Sequence, residues 1–148
     1  MATAGETIEN PVTGERFKWH QTAADTGGRL VRHAGWVRPG GGVRTEHVHR
    51  HSEERFELLA GRMALEIDGH RRTLAAGDSA TAPAGVPHRW WNDGDDELHF
   101  VVEVDPPLRF ELVIETMFRL AREVEELAIE SFFPADAQTA EALRAHAG

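Results

Sequence analysis

Gly41-x5-His47-Val48-His49-x4-Glu54-x6-Gly61, followed sixteen residues later by Gly77-x5-Pro83-Ala84-Gly85-Val86-Pro87-His88-x3-Asn92, is the stretch on which the rest of the chain depends. Residues two apart on a strand point to the same face. His47 and His49 therefore aim both imidazoles at one point if their segment is extended. Glu54 is five residues further on and needs a bend to join them, which the polar run Arg50-His51-Ser52-Glu53 can make. His88 arrives from a separate segment through Pro83-Ala84-Gly85-Val86-Pro87, a run of turn-forming residues that fixes the chain direction. His47, His49, Glu54 and His88 can bind one metal ion. The chain has nine histidines, so one close pair alone says little. The joint spacing of both blocks is what points to a metal site.

The two blocks resemble the two signature motifs of the cupin superfamily over about Arg38 to Pro106, with every spacing matched. The resemblance implies a mainly β protein, an antiparallel β-barrel or jelly roll with the metal inside. It implies His47, His49, Glu54 and His88 as ligands, and Gly41, Gly61, Gly77, Pro83, Gly85 and Asn92 as framework. His51, two past His49, is not a ligand in this register, since pairing it with His49 would displace Gly41. It is left for a supporting or acid–base role.

Composition agrees. At 148 residues, with 41% hydrophobic content, the chain is long enough for a single core. Fourteen Gly and seven Pro favour short strands and turns. A net charge of −9 argues against nucleic acid or an anionic membrane as partner. With no cysteine, only histidine and carboxylate remain as strong ligands. Residues 1–10 have neither a basic start nor an apolar run, and no stretch is apolar enough to span a bilayer. A cytoplasmic protein is expected.

Outward from the motifs, residues 1–106 read as the barrel with an N-terminal arm, which runs along the surface or reaches a second subunit. Arg16–His20 and Arg29–Arg38 read as strands. Met63, Leu65 and Ile67 alternate before the hairpin signal Asp68-Gly69. In Glu97–Val104, Leu98, Phe100, Val102 and Val104 share one face, and His99 and Glu103 the other. The apolar face suits the interior. If the other pointed in, His99 would be an acid–base candidate beside Glu54 and His51. Strand phase assigns Trp36, Arg38, Phe56, Leu58, Met63, Leu65, Trp90 and Phe100 to the pocket lining, although Trp36 also suits a packing role. Arg38, Arg44 and Arg89 are the cations near the site.

Residues 107–148 read as a helical extension packed on the barrel or at a dimer interface. Phe110, Val113, Met117, Leu120, Val124 and Leu127 follow 3-4 spacing, and Glu115–Arg119 forms an i,i+4 pair. Pro134 ends the helix, and Asp136 caps a short one to about His146.

Three imidazoles and a carboxylate suit one divalent transition metal, Fe, Mn, Ni, Co, Cu or Zn. An apolar or aromatic, enolisable small molecule fits the lining. The resemblance to quercetinase-like cupins suggests a dioxygenase. The alternatives are a non-redox isomerase or polyketide cyclase, and a ligand-binding cupin without catalysis. A homodimer is expected.

Overall fold

The computed structural model describes residues 1–132. Ten strands precede one helix: β1 (Thr7–Asn10), β2 (Glu15–Gln21), β3 (Val31–Val37), β4 (Gly42–His47), β5 (Glu53–Ala60), β6 (Arg62–Ile67), β7 (His70–Ala75), β8 (Ser79–Ala82), β9 (His88–Asn92), β10 (Leu98–Asp105) and α1 (Phe110–Phe132). They form a six-stranded sheet in the order β1-β2-β3-β10-β5-β8, and a four-stranded sheet in the order β4-β9-β6-β7. Every described pairing is antiparallel. The final helix expected from Asp136 lies outside the described residues.

The sequence explains the local pieces. Asp68 and Gly69 both have positive φ, 52° and 76°, the geometry of the two-residue turn that matches strand twist between β6 and β7. On β10 the alternation is obeyed, with Leu98, Phe100, Val102 and Val104 all buried between the sheets. Phe56 and Leu58 of β5 and Met63 and Leu65 of β6 meet them there. Gly35 sits opposite Phe100 in the β3–β10 register. A Cβ at Gly35 would lie 2.5 Å from the Phe100 ring, so glycine is what lets that ring occupy the centre. Gly41 is equally confined, its Cβ position 2.5 Å from the Thr13 carbonyl oxygen.

The N-terminal segment is not a loose arm. Thr7–Asn10 pairs with β2, from Thr7 opposite Lys18 to Asn10 opposite Glu15. The helix also departs from expectation. Its buried face is Phe110, Ile114 and Phe118, which pack on the core. Of the residues that follow 3-4 spacing only Phe110 belongs to that face; Val113, Met117, Leu120, Val124 and Leu127 are about half exposed. The expected Glu115–Arg119 pair is replaced by Arg119–Glu123 at 3.0 Å. The helix is held against the N-terminal half of the chain. The Glu111 carboxylate accepts from the Ala23 N–H at 2.7 Å, and Arg122 donates to the Glu9 carbonyl at 2.8 Å. Among the described residues no helix is long and apolar enough to cross a membrane.

Candidate metal centre

The two sheets converge on one cluster. Glu54 lies on β5, opposite Val104 of β10 and Ala82 of β8. His88 begins β9, opposite His47 at the end of β4 and Ile67 of β6. His49 follows β4 in the loop. One sheet therefore supplies the carboxylate, and the other supplies the histidines from one strand, its following loop and the adjacent strand. One ligand atom from each of His47, His49, Glu54 and His88 falls within 4.8 Å of all the others.

Backbone carbonyls set the imidazole tautomers. His47 Nδ1 donates to the Thr45 carbonyl at 2.9 Å, and His88 Nδ1 donates to the Val86 carbonyl at 3.1 Å. Each Nε2 is thereby left for the centre, the arrangement that commonly orients metal-binding histidines. Glu54 Oε2 lies 2.9 Å from His49 Nε2 and 3.1 Å from His88 Nε2. Donors bonded to one ion at about 2.0–2.2 Å would sit within roughly 4.4 Å of each other. The cluster needs only a small contraction to reach that, so its donor chemistry and spacing fit a divalent transition metal.

The electrostatics fit as well. Burial pushes the Glu54 pKa up, but hydrogen bonds and positive charge from His49 and His88 outweigh it, and the carboxyl is held at about 2. Glu54 is thus an anion over the whole physiological range. Burial acts to lower the pKa of His88, and the Glu54 hydrogen bond and charge reverse this to a net rise. His47 is shifted down, chiefly by burial, which favours the neutral form a metal requires.

The cluster opens on a cavity of about 770 Å³. Phe17, Val43, Trp90, Phe100 and Val104 form apolar wall, and the helix covers it with Phe110, Ile114 and Phe118. Arg44 and His51 are exposed residues at the rim. Two of the residues assigned to the lining, Trp90 and Phe100, are where strand phase put them. Six are not. Phe56, Leu58, Met63 and Leu65 are fully buried between the sheets, one or more layers deeper than Glu54. Trp36 is on the outer face of β3, between the Arg16 guanidinium and the His99 ring. Arg38 donates to the carbonyls of Pro11 and Val12 and so braces the β1–β2 turn. Arg89 points away to Glu66, at 3.1 Å. His99 is excluded from the site. The register places it opposite Trp36, on which it stacks at 4.5 Å, and its Nδ1 donates to the Gly35 carbonyl.

Two cavity residues were not read from the sequence. His33 is stacked 4.1 Å from Phe17, and burial holds its pKa at about 4, so it is neutral. Glu15 is buried on the same wall. Desolvation drives its pKa from 4.5 up to about 7, with repulsion from Glu54 adding to the rise and the Thr13 side chain opposing it. Glu15 shares the phase of Phe17 and Trp19, and a carboxylate on an aromatic face was the available signal.

The buried carboxyl makes stability depend on pH. Below pH 4.5 Glu15 is protonated in both folded and unfolded chains. Between 4.5 and 7 the unfolded chain ionises first, so stability falls as pH rises, and the loss is complete above the folded value. Its size is on the order of 3 kcal/mol. Glu15→Gln is therefore expected to equal wild type in urea melts at pH 4.5 and to exceed it at pH 8. An identical stability difference at both pH values would contradict the shift.

Residues 36–104 match the family described as the cupin domain. Over 70 residues the chain is 34% identical to "Polyketide synthase CurC" of Streptomyces cyaneus, 47% of this chain and 45% of that protein. Over 44 residues it is 43% identical to quercetin 2,3-dioxygenase of Bacillus subtilis, 30% of this chain and 13% of that protein. A predicted oxalate decarboxylase from Thermotoga maritima shares the fold at a TM-score of 0.61 and 20% identity, covering 70% of this chain and 92% of that one. The matched region spans less than half the length of these two curated relatives.

Proposed function

Since residues 36–104 of this chain are a cupin domain, we propose that the protein is a metal-dependent enzyme acting on an apolar, enolisable small molecule, in an oxygen-dependent cleavage of a carbon–carbon bond. The observation that carries this is the position of the donor set, three of whose members, His47, His49 and Glu54, line an apolar cavity of about 770 Å³. His47, His49, Glu54 and His88 would hold the metal. When bound, it would supply a Lewis acid for a substrate oxygen and an electron path to dioxygen.

The chain's own residues do the rest. Trp90, Phe100 and Phe110 give an aromatic substrate its contact surface. The helix excludes water from the side that Ile114 and Phe118 cover. The carbonyls of Thr45 and Val86 keep His47 and His88 in the tautomer that leaves Nε2 available. The identity shared with quercetin 2,3-dioxygenase supports the oxygen-dependent reading. A second reading, non-redox isomerisation or cyclisation, is favoured by the identity to the polyketide protein and by a buried carboxyl titrating near neutrality.

Metal loading followed by flavonol and β-diketone screens separates the two. Fe(II), Mn, Ni, Co and Cu forms are expected to turn over a probe under air, with equivalent oxygen uptake and none under nitrogen. Turnover by a Zn form that persists under nitrogen would overturn the dioxygenase reading in favour of the second.

A further inference from the structure

Glu15 is buried with only the Thr13 side chain to relieve its charge. Several other buried polar side chains of this region are occupied, Trp19 Nε1 being an exception. Asn10 Oδ1 accepts from the N–H groups of Val12 and Thr13, Asn92 donates to the carbonyls of Val37 and Asp96, and Ser52 donates to that of Pro106. His33 Nδ1 donates to the Ala34 carbonyl. Among the described residues no ion pair includes Glu15. It is 5% exposed and lines the same cavity as His47, His49 and Glu54. Burying a carboxyl without a cation is costly, and a glutamine or leucine would fill the wall without that cost. Uncompensated carboxyls of this kind concentrate where protons are transferred.

We propose that Glu15 is the proton-transfer residue of this cavity, exchanging a proton with an enolisable substrate whose acidic end lies against the His47/His49/Glu54/His88 cluster. This rests on the reading of the cavity as a substrate site, and it holds for either reaction type. In the forward direction a C–H or O–H bond of the substrate breaks, its electron pair stays on the substrate as an enolate, and the proton forms an O–H bond on Glu15. The return step delivers that proton to the same or another substrate atom, with no change in oxidation state.

The surroundings keep Glu15 suited to both directions. Glu54 on β5 repels its anion. His33 on β3 is neutral and adds no counter-charge near pH 7. Arg44 and His47 on β4, His49, Arg50 and His51 in the loop after it, and Arg109 before the helix are the other titratable and charged groups lining the cavity. The helix itself contributes only apolar wall. The carboxyl is thus partly ionised near pH 7, able to accept a proton and to return it.

The test uses the zinc-loaded full chain, with acetylacetone as probe and deuterium uptake at its central carbon followed by proton NMR in D2O. Wild type is expected to accelerate exchange over buffer. Glu15→Gln is expected to lose at least tenfold of that rate at unchanged zinc content; Glu15→Asp should retain part of it. Independently, carbon-13 titration of the metal-free protein should show one glutamate carboxyl titrating near pH 7 that is missing from Glu15→Gln. Equal exchange in wild type and Glu15→Gln, or no glutamate carboxyl titrating above pH 6, would overturn the proposal. Wild type that binds no zinc would instead defeat the metal reading, which the carboxyl titration does not depend on.

Discussion

Glu54→Gln is expected to weaken divalent-metal binding by more than ~100-fold, a loss larger than that typical of removing a supporting contact around a metal ligand. Glu54 is the one anionic member of the cluster, and its Oε2 is within 3.1 Å of two of the three imidazoles. Glutamine keeps the size but offers a weak neutral donor. It also removes the charge that raises His88, and the reduced proton competition there is small beside the loss of an anionic ligand. Competition against a chromophoric chelator at pH 7.5 reads the change directly. Binding within threefold of wild type would remove Glu54 from the ligand set.

Phe56→Ala should lower stability by about 3–5 kcal/mol while leaving metal content intact. Phe56 is fully buried and packs against Trp90 at 6.3 Å and Phe100 at 6.5 Å between ring centroids. Its truncation leaves a void in the layer where the two sheets meet. For a chain of this size the loss corresponds to roughly 10 °C or more in Tm. The prediction also separates a wall residue from a core residue. A variant that melts like wild type yet changes probe binding would return Phe56 to the lining.

That case shows what a sequence can and cannot say here. Strand phase correctly turns Glu54, Phe56 and Leu58 to one face. Phase does not give depth. Each second residue lies about 7 Å further along the strand, so Glu54 reaches the cluster while Phe56 and Leu58 sit in deeper layers. The ligand quartet was legible because its spacing is short-range within each block and each block ends in turn residues. Glu15 was not, because it reaches the cavity only after β1 and β2 add to the sheet beside β3. The 3-4 spacing caught Phe110 but not Ile114 and Phe118, for a similar reason. Phe110, Ile114 and Phe118 recur at i+4, and Val113, Met117 and Leu120 offer a competing apolar row. Only the shape of the barrel mouth chooses between them. His99 and Trp36 illustrate register. Val37 opposite Leu98 sends both rings outward, where they stack on each other.

If His47, His49, Glu54 and His88 form one metal centre, elemental analysis of the purified chain beside His88→Ala will show it. His88 is 1% exposed and belongs to the second block, so its loss takes away a ligand that the His47/His49 segment cannot replace. Close to one transition metal per chain is expected in wild type and little in the variant. A wild type that takes up no transition metal, or a variant that keeps a full equivalent, would contradict it.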